Sequence, residues 1–174
     1  MTEFFVEGLL GAVLSPCKKH RYWLWRKWRS DRPLLVTCMF NPSTADARKD
    51  DPTISRLCGF AQRWGYGGIL VFNLFSLRTP DPSLVRGCER EAFGDAQPEA
   101  IAAALTLAEQ QGTPVLIAWG TLPSMWDKRP VLDAAAGLDL ICLGLSKDGA
   151  PKHPMARGKS RVPDDQQPVP FEPY

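Results

Sequence analysis

The stretch LLVTCMFNPSTAD, residues 34–46, decides how the chain is read. Leu34–Phe40 is an apolar, β-prone run that stops at Asn41-Pro42-Ser43-Thr44. Proline has no N–H for a sheet ladder and drives the preceding residue out of the helical region, so the strand ends there. A carboxamide, two hydroxyls and Asp46 are thereby set just beyond a strand's carboxyl end. In open α/β sheets that edge is where ligands bind. Asn-Pro-Ser is also ordinary turn chemistry, so the segment alone does not separate a site from a loop.

Three further runs have the same character: Ile69–Phe72, Val115–Trp119 and Leu138–Leu143. Short, nearly continuous apolar runs are the pattern of strands buried on both faces. Between them lie helical patterns. Over Pro52–Trp64, Ile54, Leu57, Phe60, Ala61 and Trp64 form one apolar stripe, and Asp50-Asp51-Pro52-Thr53 suits a helix start. Pro98–Gln111 is alanine-rich and closes at Gly112, a shorter helix is expected after Gly120, and Lys128–Ala136 runs to Gly137. Upstream, Ala12–Leu14 and the aromatic-rich Arg21–Trp28 read as a β-hairpin. The alternation predicts an α/β fold: three α/β/α layers with a four-stranded parallel sheet and an N-terminal β-hairpin. Residues 1–174 read as one domain, with 1–32 as the hairpin extension and 156–174 as a proline-rich arm, extended or disordered.

Composition sets limits. With 174 residues, 44% apolar and 23% charged, the chain can build one sizeable core. No apolar run approaches the roughly 20 residues of a bilayer span, and the N-terminus carries acids where a signal peptide carries Lys or Arg. The expectation is a cytoplasmic protein with no membrane partner. Five scattered cysteines and two histidines form no zinc pattern, so no metal is expected and the thiols read as reduced and structural.

The net charge of +2 conceals two basic segments, residues 1–34 and 145–161. Lys18, Lys19, Arg21, Lys152 and Arg157 are the expected nucleic-acid contacts, or simply a wet surface. Trp23, Trp25 and Trp28 read more readily as hairpin core than as stacking platforms. Arg21 and Tyr22 either pin the hairpin or line the crevice, His20 reads as solvent-exposed, and Arg78 holds a phosphate or an ion pair.

Each strand ends in something chemically pointed. Asn41 follows the first and Asn73 closes the second, set between Val71-Phe72 and Leu74-Phe75. Gly120 follows the third, and the fourth leads to Lys152-His153-Pro154. In a parallel sheet all four ends share one edge, so Asn41, Asn73, Gly120 and His153 are expected to converge.

From about Ala12 to Pro154 the chain resembles the bacterial and phage family catalogued as domain of unknown function 1643. The resemblance rests on Arg21-Tyr22, the Asn41–Asp46 motif, Asp51-Pro52-Thr53, Trp64–Tyr66, Asn73–Phe75, Trp119-Gly120 and Lys152–Pro154. More remotely, the ordered landmarks are similar to those of the uracil-DNA glycosylase superfamily. Asn41-Pro42-Ser43 falls where that superfamily positions its attacking water, with Phe40 and Ser43 replacing small residues. Asn73 falls where several members read the base edge, and His153-Pro154-Met155 resembles their His-Pro-Ser motif, with methionine in place of serine.

What this resemblance implies is a nucleobase-binding protein that hydrolyses an N-glycosidic bond of a modified base in DNA, without a cofactor. A non-catalytic nucleic-acid or nucleotide-binding module and a hydrolase of free modified nucleosides are the rivals. In the expected roles Asn41 positions water, and Asp46 or Asp51 is the general base. Asn73 reads the base, with Ser43, Thr44, Arg78 and Gly120 as further substrate contacts. Phe60, Trp64 or Phe75 walls the base, and His153 stabilises the leaving group as neutral donor or imidazolium.

Overall fold

The structure is a computed structural model that describes residues 4, 6–85, 89–122 and 126–173. Its strands are β1 (Leu10–Leu14), β2 (Arg21–Lys27), β3 (Leu34–Met39), β4 (Gly68–Asn73), β5 (Val115–Ile117), β6 (Leu140–Cys142) and β7 (Val169–Pro170). The helices are α1 (Pro52–Arg63), α2 (Glu89–Phe93), α3 (Gln97–Gln111) and α4 (Arg129–Leu132).

The strands form one mixed seven-stranded sheet in the order β1-β2-β4-β3-β5-β6-β7. This corrects the expectation of a four-stranded parallel sheet with a separate hairpin. The parallel strands β4, β3, β5 and β6 make the centre. On one side β2 pairs antiparallel with β4, Leu24 opposite Val71, so the hairpin continues the sheet. On the other, the proline-rich arm returns as β7 against β6. Both additions cover edges whose N–H and C=O groups would otherwise lack partners. Pro170 is tolerated in β7 because that strand is itself an edge.

The period-2 alternation of the central strands sorts side chains to two faces. Leu35, Met39, Ile69 and Val71 meet Ile54, Leu57, Phe60 and Ala61 of α1. Val36, Cys38, Leu70 and Phe72 meet Ala100, Ile101, Ala104 and Leu105 of α3 on the opposite face. Helices on both faces explain why the strands carry no polar alternation. Full burial of each large apolar side chain contributes about 1.5–3 kcal/mol. The hairpin tryptophans are structural: Trp23 Nε1 donates to the Ala100 carbonyl at 2.9 Å and Trp28 Nε1 to that of Tyr66 at 3.0 Å.

Asp51 starts α1 by accepting the Ile54 N–H on its side chain at 2.9 Å, with Pro52 at the first helical position. The expected helix over Lys128–Ala136 is only the short α4, and α2 was not foreseen. The shorter helix expected after Gly120 falls in part on residues 123–125, which lie outside the described residues, as does Cys88. Cys17, Cys38, Cys58 and Cys142 are free thiols, Cys17 on an exposed turn. No helix among the described residues is long and apolar enough to cross a membrane.

The topology places a crevice. From β3 the chain passes through α1 to β4 on one side, while β5 pairs with the other side of β3. Strand order therefore reverses at β3, and the loops leaving β3, β4 and β5 diverge around its carboxyl end. Asn73, the last residue of β4, lies opposite Met39, the last of β3.

Candidate active site

A cleft of about 570 Å³ opens at this carboxyl edge. Asn41 and Ser43 come from the loop after β3, Asp51 and Thr53 from the start of α1, and Asn73 from the end of β4. Trp119 and Thr121 follow β5, Arg21 begins β2, and His153 arrives on the loop after β6.

Asn41 is half-buried, and its Nδ2 donates to the carbonyls of Thr79 at 2.9 Å and Pro42 at 3.0 Å. The amide thus ties the Asn-Pro turn to the loop after β4, which Thr79 N–H reinforces by donating to the Pro42 carbonyl at 2.9 Å. With both amide protons used, Oδ1 remains as an acceptor. Asn73 is 1% exposed, and its Nδ2 is buried without a partner among the described residues. An orphaned buried donor costs free energy unless a ligand or water completes it. Gln97, whose Nε2 donates to the Asn73 carbonyl, likewise leaves its Oε1 without a partner among the described residues.

His153 is half-buried, and its Nδ1 accepts the Met155 N–H at 3.0 Å. The neutral ring therefore carries its proton on Nε2. Burial pushes the imidazole pKa down to about 4, against a smaller opposing pull from the Asp51 carboxylate. At neutral pH it is an uncharged donor, not an imidazolium. Gly120 makes room for it: a Cβ there would sit 3.2 Å from the His153 Cβ. Arg56 of α1 holds the same loop by donating to the Pro154 carbonyl at 2.6 Å.

Several expected site residues do not line the cleft. Asp46 Oδ1 is held by the N–H groups of Arg48 at 2.8 Å and Lys49 at 2.9 Å, which keep its carboxyl below the usual range. It closes a turn and stands outside the lining, so only Asp51 of the two proposed bases borders the cleft. Thr44 is exposed and off the lining. Phe60 is wholly buried under α1 and stacks with Trp64, because the helix stripe points into the sheet, so neither ring walls the cleft.

Phe75 lies behind the cleft, edge-on to Phe40 and Trp126, and it is those two rings, with Trp119, that face the cavity. Arg78 donates to the Lys18 carbonyl at 3.3 Å and does not reach the lining. Gly120 shapes the His153 pocket without lining the cleft. Lys18, Lys19 and Arg157 are exposed, and with Lys152 they stand off the lining; of the expected nucleic-acid contacts only Arg21 borders the cleft. His20 is not free in solvent: its Nδ1 bonds the Ser76 hydroxyl at 3.0 Å, and Ser76 donates to the Phe93 carbonyl at 2.7 Å.

The lining also includes residues that the sequence reading did not assign a role. Phe40, Thr53, Trp126 and the Thr79–Ser83 loop all face the cavity. Phe40 was legible in principle, since it immediately precedes Asn41 at a strand end. Trp126 lies 5.1 Å from Phe40 by ring centroid, across a separation in sequence that no local pattern reports. Among the described residues no group of three or more His, Cys, Asp or Glu side chains is arranged to hold a metal ion. The arrangement supplies an acceptor at Asn41, an amide at Asn73, a neutral N–H at His153, a carboxylate at Asp51 and an aromatic wall.

No curated protein and no solved structure matches the chain. A family model, described as a protein of unknown function (DUF1643), matches residues 21–155. That span runs from Arg21 to Met155 and so contains every cleft residue named above, and the chain belongs to the DUF1643 family.

Proposed function

We propose that this protein is a nucleobase-binding hydrolase of the uracil-DNA-glycosylase type, cleaving the N-glycosidic bond of a modified base in DNA. With it goes a three-layer α/β/α architecture around the parallel centre of the sheet. The observation that carries the reading is that Asn41, Asn73 and His153, from three separate strand ends, line one cleft.

In the proposed reaction the base lies against Phe40 and Trp126, with Asn73 Nδ2 donating to a base carbonyl. Water accepted by Asn41 Oδ1 attacks the anomeric carbon, and the carbon–nitrogen bond breaks with its electron pair leaving on the base. His153 Nε2–H donates to the developing anion, a fixed dipole in the cleft wall. The proton lost by the attacking water passes to Asp51. An amide is a poor base, so most of the rate enhancement rests on electrostatic stabilisation of the leaving group.

The test is a base-release assay on single- and double-stranded DNA carrying uracil, mismatched or hypermodified bases. Asn41→Ala and His153→Ala should each abolish release while keeping a folded protein. Wild-type rates in both variants would sink the assignment, and salt-sensitive binding without an abasic product would indicate a binding module.

A second reading, hydrolysis of free modified nucleosides or nucleotides, is favoured by one observation. Lys18, Lys19, Lys152 and Arg157 stand off the cleft lining. Reversing those four charges leaves a small-molecule enzyme unaffected and weakens a DNA enzyme.

A further inference from the structure

Arg21 is not used by the chemistry above, yet it is the most confined cation in the cleft wall. It begins β2, beside the end of β4, and is 3% exposed. Its Nη1 donates to the Ala45 carbonyl at 2.6 Å. Its Nε is buried with no partner among the described residues. No carboxylate among them lies within ion-pairing distance of it, as those of Asp50 and Asp164 do for Arg26 and Arg56. Burial pulls the guanidinium down to about 10, so it stays charged at neutral pH, with Asp51 nearby favouring that charge. A buried, incompletely bonded cation is unfavourable unless an anion completes it.

The surroundings fit an oxyanion. The 12-residue helix α1 presents its N-terminus to the same cleft through Thr53 and Ile54. Such an end carries partial positive charge. Pro52 has no N–H, and Asp51 takes the Ile54 N–H on its side chain and the Ser55 N–H on its carbonyl, which leaves the Thr53 N–H to meet an anion. The hydroxyls of Ser43 and Thr53 line the cleft and have no hydrogen-bond partner among the described residues. Asp51 borders the site, but its Oδ1 is occupied by the Ile54 N–H. Asp81, the other carboxylate of the cleft, sits on the loop after β4, with Oδ1 accepting the Ser83 N–H at 2.9 Å.

We propose that Arg21, the Ser43 and Thr53 hydroxyls and the N-terminus of α1 form a phosphate subsite, which takes a nucleoside monophosphate whose base lies against Asn73. The proposal rests on the nucleobase reading of the cleft and, within it, on the second reading, with a free nucleotide rather than a base in DNA as the substrate. A planar guanidinium fork matches phosphate oxygens in a way that a point charge does not. A free monophosphate is favoured over a strand phosphate because the cation is buried within the cleft, whereas the surface cations that would track a strand lie off its lining.

The experiment measures binding and needs no turnover. The probes are inorganic phosphate, a panel of nucleoside 5′-monophosphates with the matched nucleosides, and a single-stranded oligonucleotide. Inorganic phosphate should raise the melting temperature and shift the Arg21 Nε–H resonance. The preferred monophosphate should bind about tenfold or more tightly than its nucleoside, as expected for a charge-assisted bidentate contact. Arg21→Gln should remove that difference while sparing nucleoside affinity. Should Arg21→Gln not fold, Ser43→Ala combined with Thr53→Val should reduce the phosphate response.

A wild-type protein indifferent to phosphate, with equal affinity for monophosphate and nucleoside, overturns the subsite. An oligonucleotide that displaces the monophosphate at lower concentration overturns the free-nucleotide assignment. Phosphate binding that persists when no substrate is cleaved refutes the hydrolase reading alone, so the two failures are distinguishable.

Discussion

The Arg56 guanidinium on α1 donates to the Pro154 carbonyl at 2.6 Å, joining residues 98 apart in sequence. It also donates to the Val162 carbonyl and pairs with Asp164 at 3.0 Å. The helix whose N-terminus borders the cleft therefore also holds the loop carrying His153. Arg56→Ala removes these charge-assisted bonds and should cost roughly 2 kcal/mol in urea denaturation. Tryptic cleavage after Arg157 should accelerate. An unchanged midpoint and cleavage rate would show that the clamp is idle.

Gly120 and Gly112 make a matched pair. Both have positive φ, +81° and +61°, but a Cβ at 120 would lie 3.2 Å from His153 while one at 112 meets nothing within 4 Å. Alanine at 112 should cost only the backbone strain, about 1 kcal/mol, and leave the cleft intact. Alanine at 120 should cost about 1–2 kcal/mol and displace the imidazole. The His153 ring resonances report which occurs; movement in both variants, or in neither, contradicts the packing account.

His153 also sets a pH dependence. Its pKa falls from 6.5 to about 4 on folding, so between those values the unfolded chain binds more protons than the folded one. Stability is then full above about pH 6.5 and is lost as pH falls through 4, by roughly 1–3 kcal/mol for this group. His153→Gln should flatten that part of the stability curve. The remaining acid slope belongs to other groups, His20 included, whose pKa is also lowered by burial. A slope unchanged by His153→Gln would place the proton elsewhere.

Asn73 allows fold stability to be tested apart from the proposed base contact. Its unpartnered Nδ2 makes the native residue a liability in a dry site. Asn73→Leu should be neutral or stabilising by about 1 kcal/mol in thermal unfolding, yet should abolish nucleobase binding by calorimetry. Marked destabilisation would mean the amide serves the fold.

Much of the edge was legible because strands announce themselves locally. Proline after Asn41 and the carboxamide Asn73 within an apolar run are visible as breaks in a short-range pattern, and parallel connection brings such breaks to one side. The aromatic wall was assigned to the wrong rings for an equally physical reason. Phe60 belongs to a helix stripe whose period turns it into the sheet, while Phe40 continues a strand out into the loop. Asp46 looked like a base because a carboxylate near a strand end is chemically suggestive, but its acceptor capacity closes a turn. The basic residues could not be placed, since net charge along the chain carries no information about which face a long side chain occupies.

The sequence by itself determined the parallel centre, the start of α1 and the level at which β3 and β4 end, because backbone hydrogen bonding and side-chain period are local rules. Only the tertiary structure decided that the hairpin and the proline-rich arm complete a seven-stranded sheet, and that the strand ends enclose a cleft. It alone decided that His153 is a neutral donor and that Arg21 is a buried, incompletely bonded cation. Those properties depend on desolvation and on partners distant in sequence, and both come into existence only when the chain has packed.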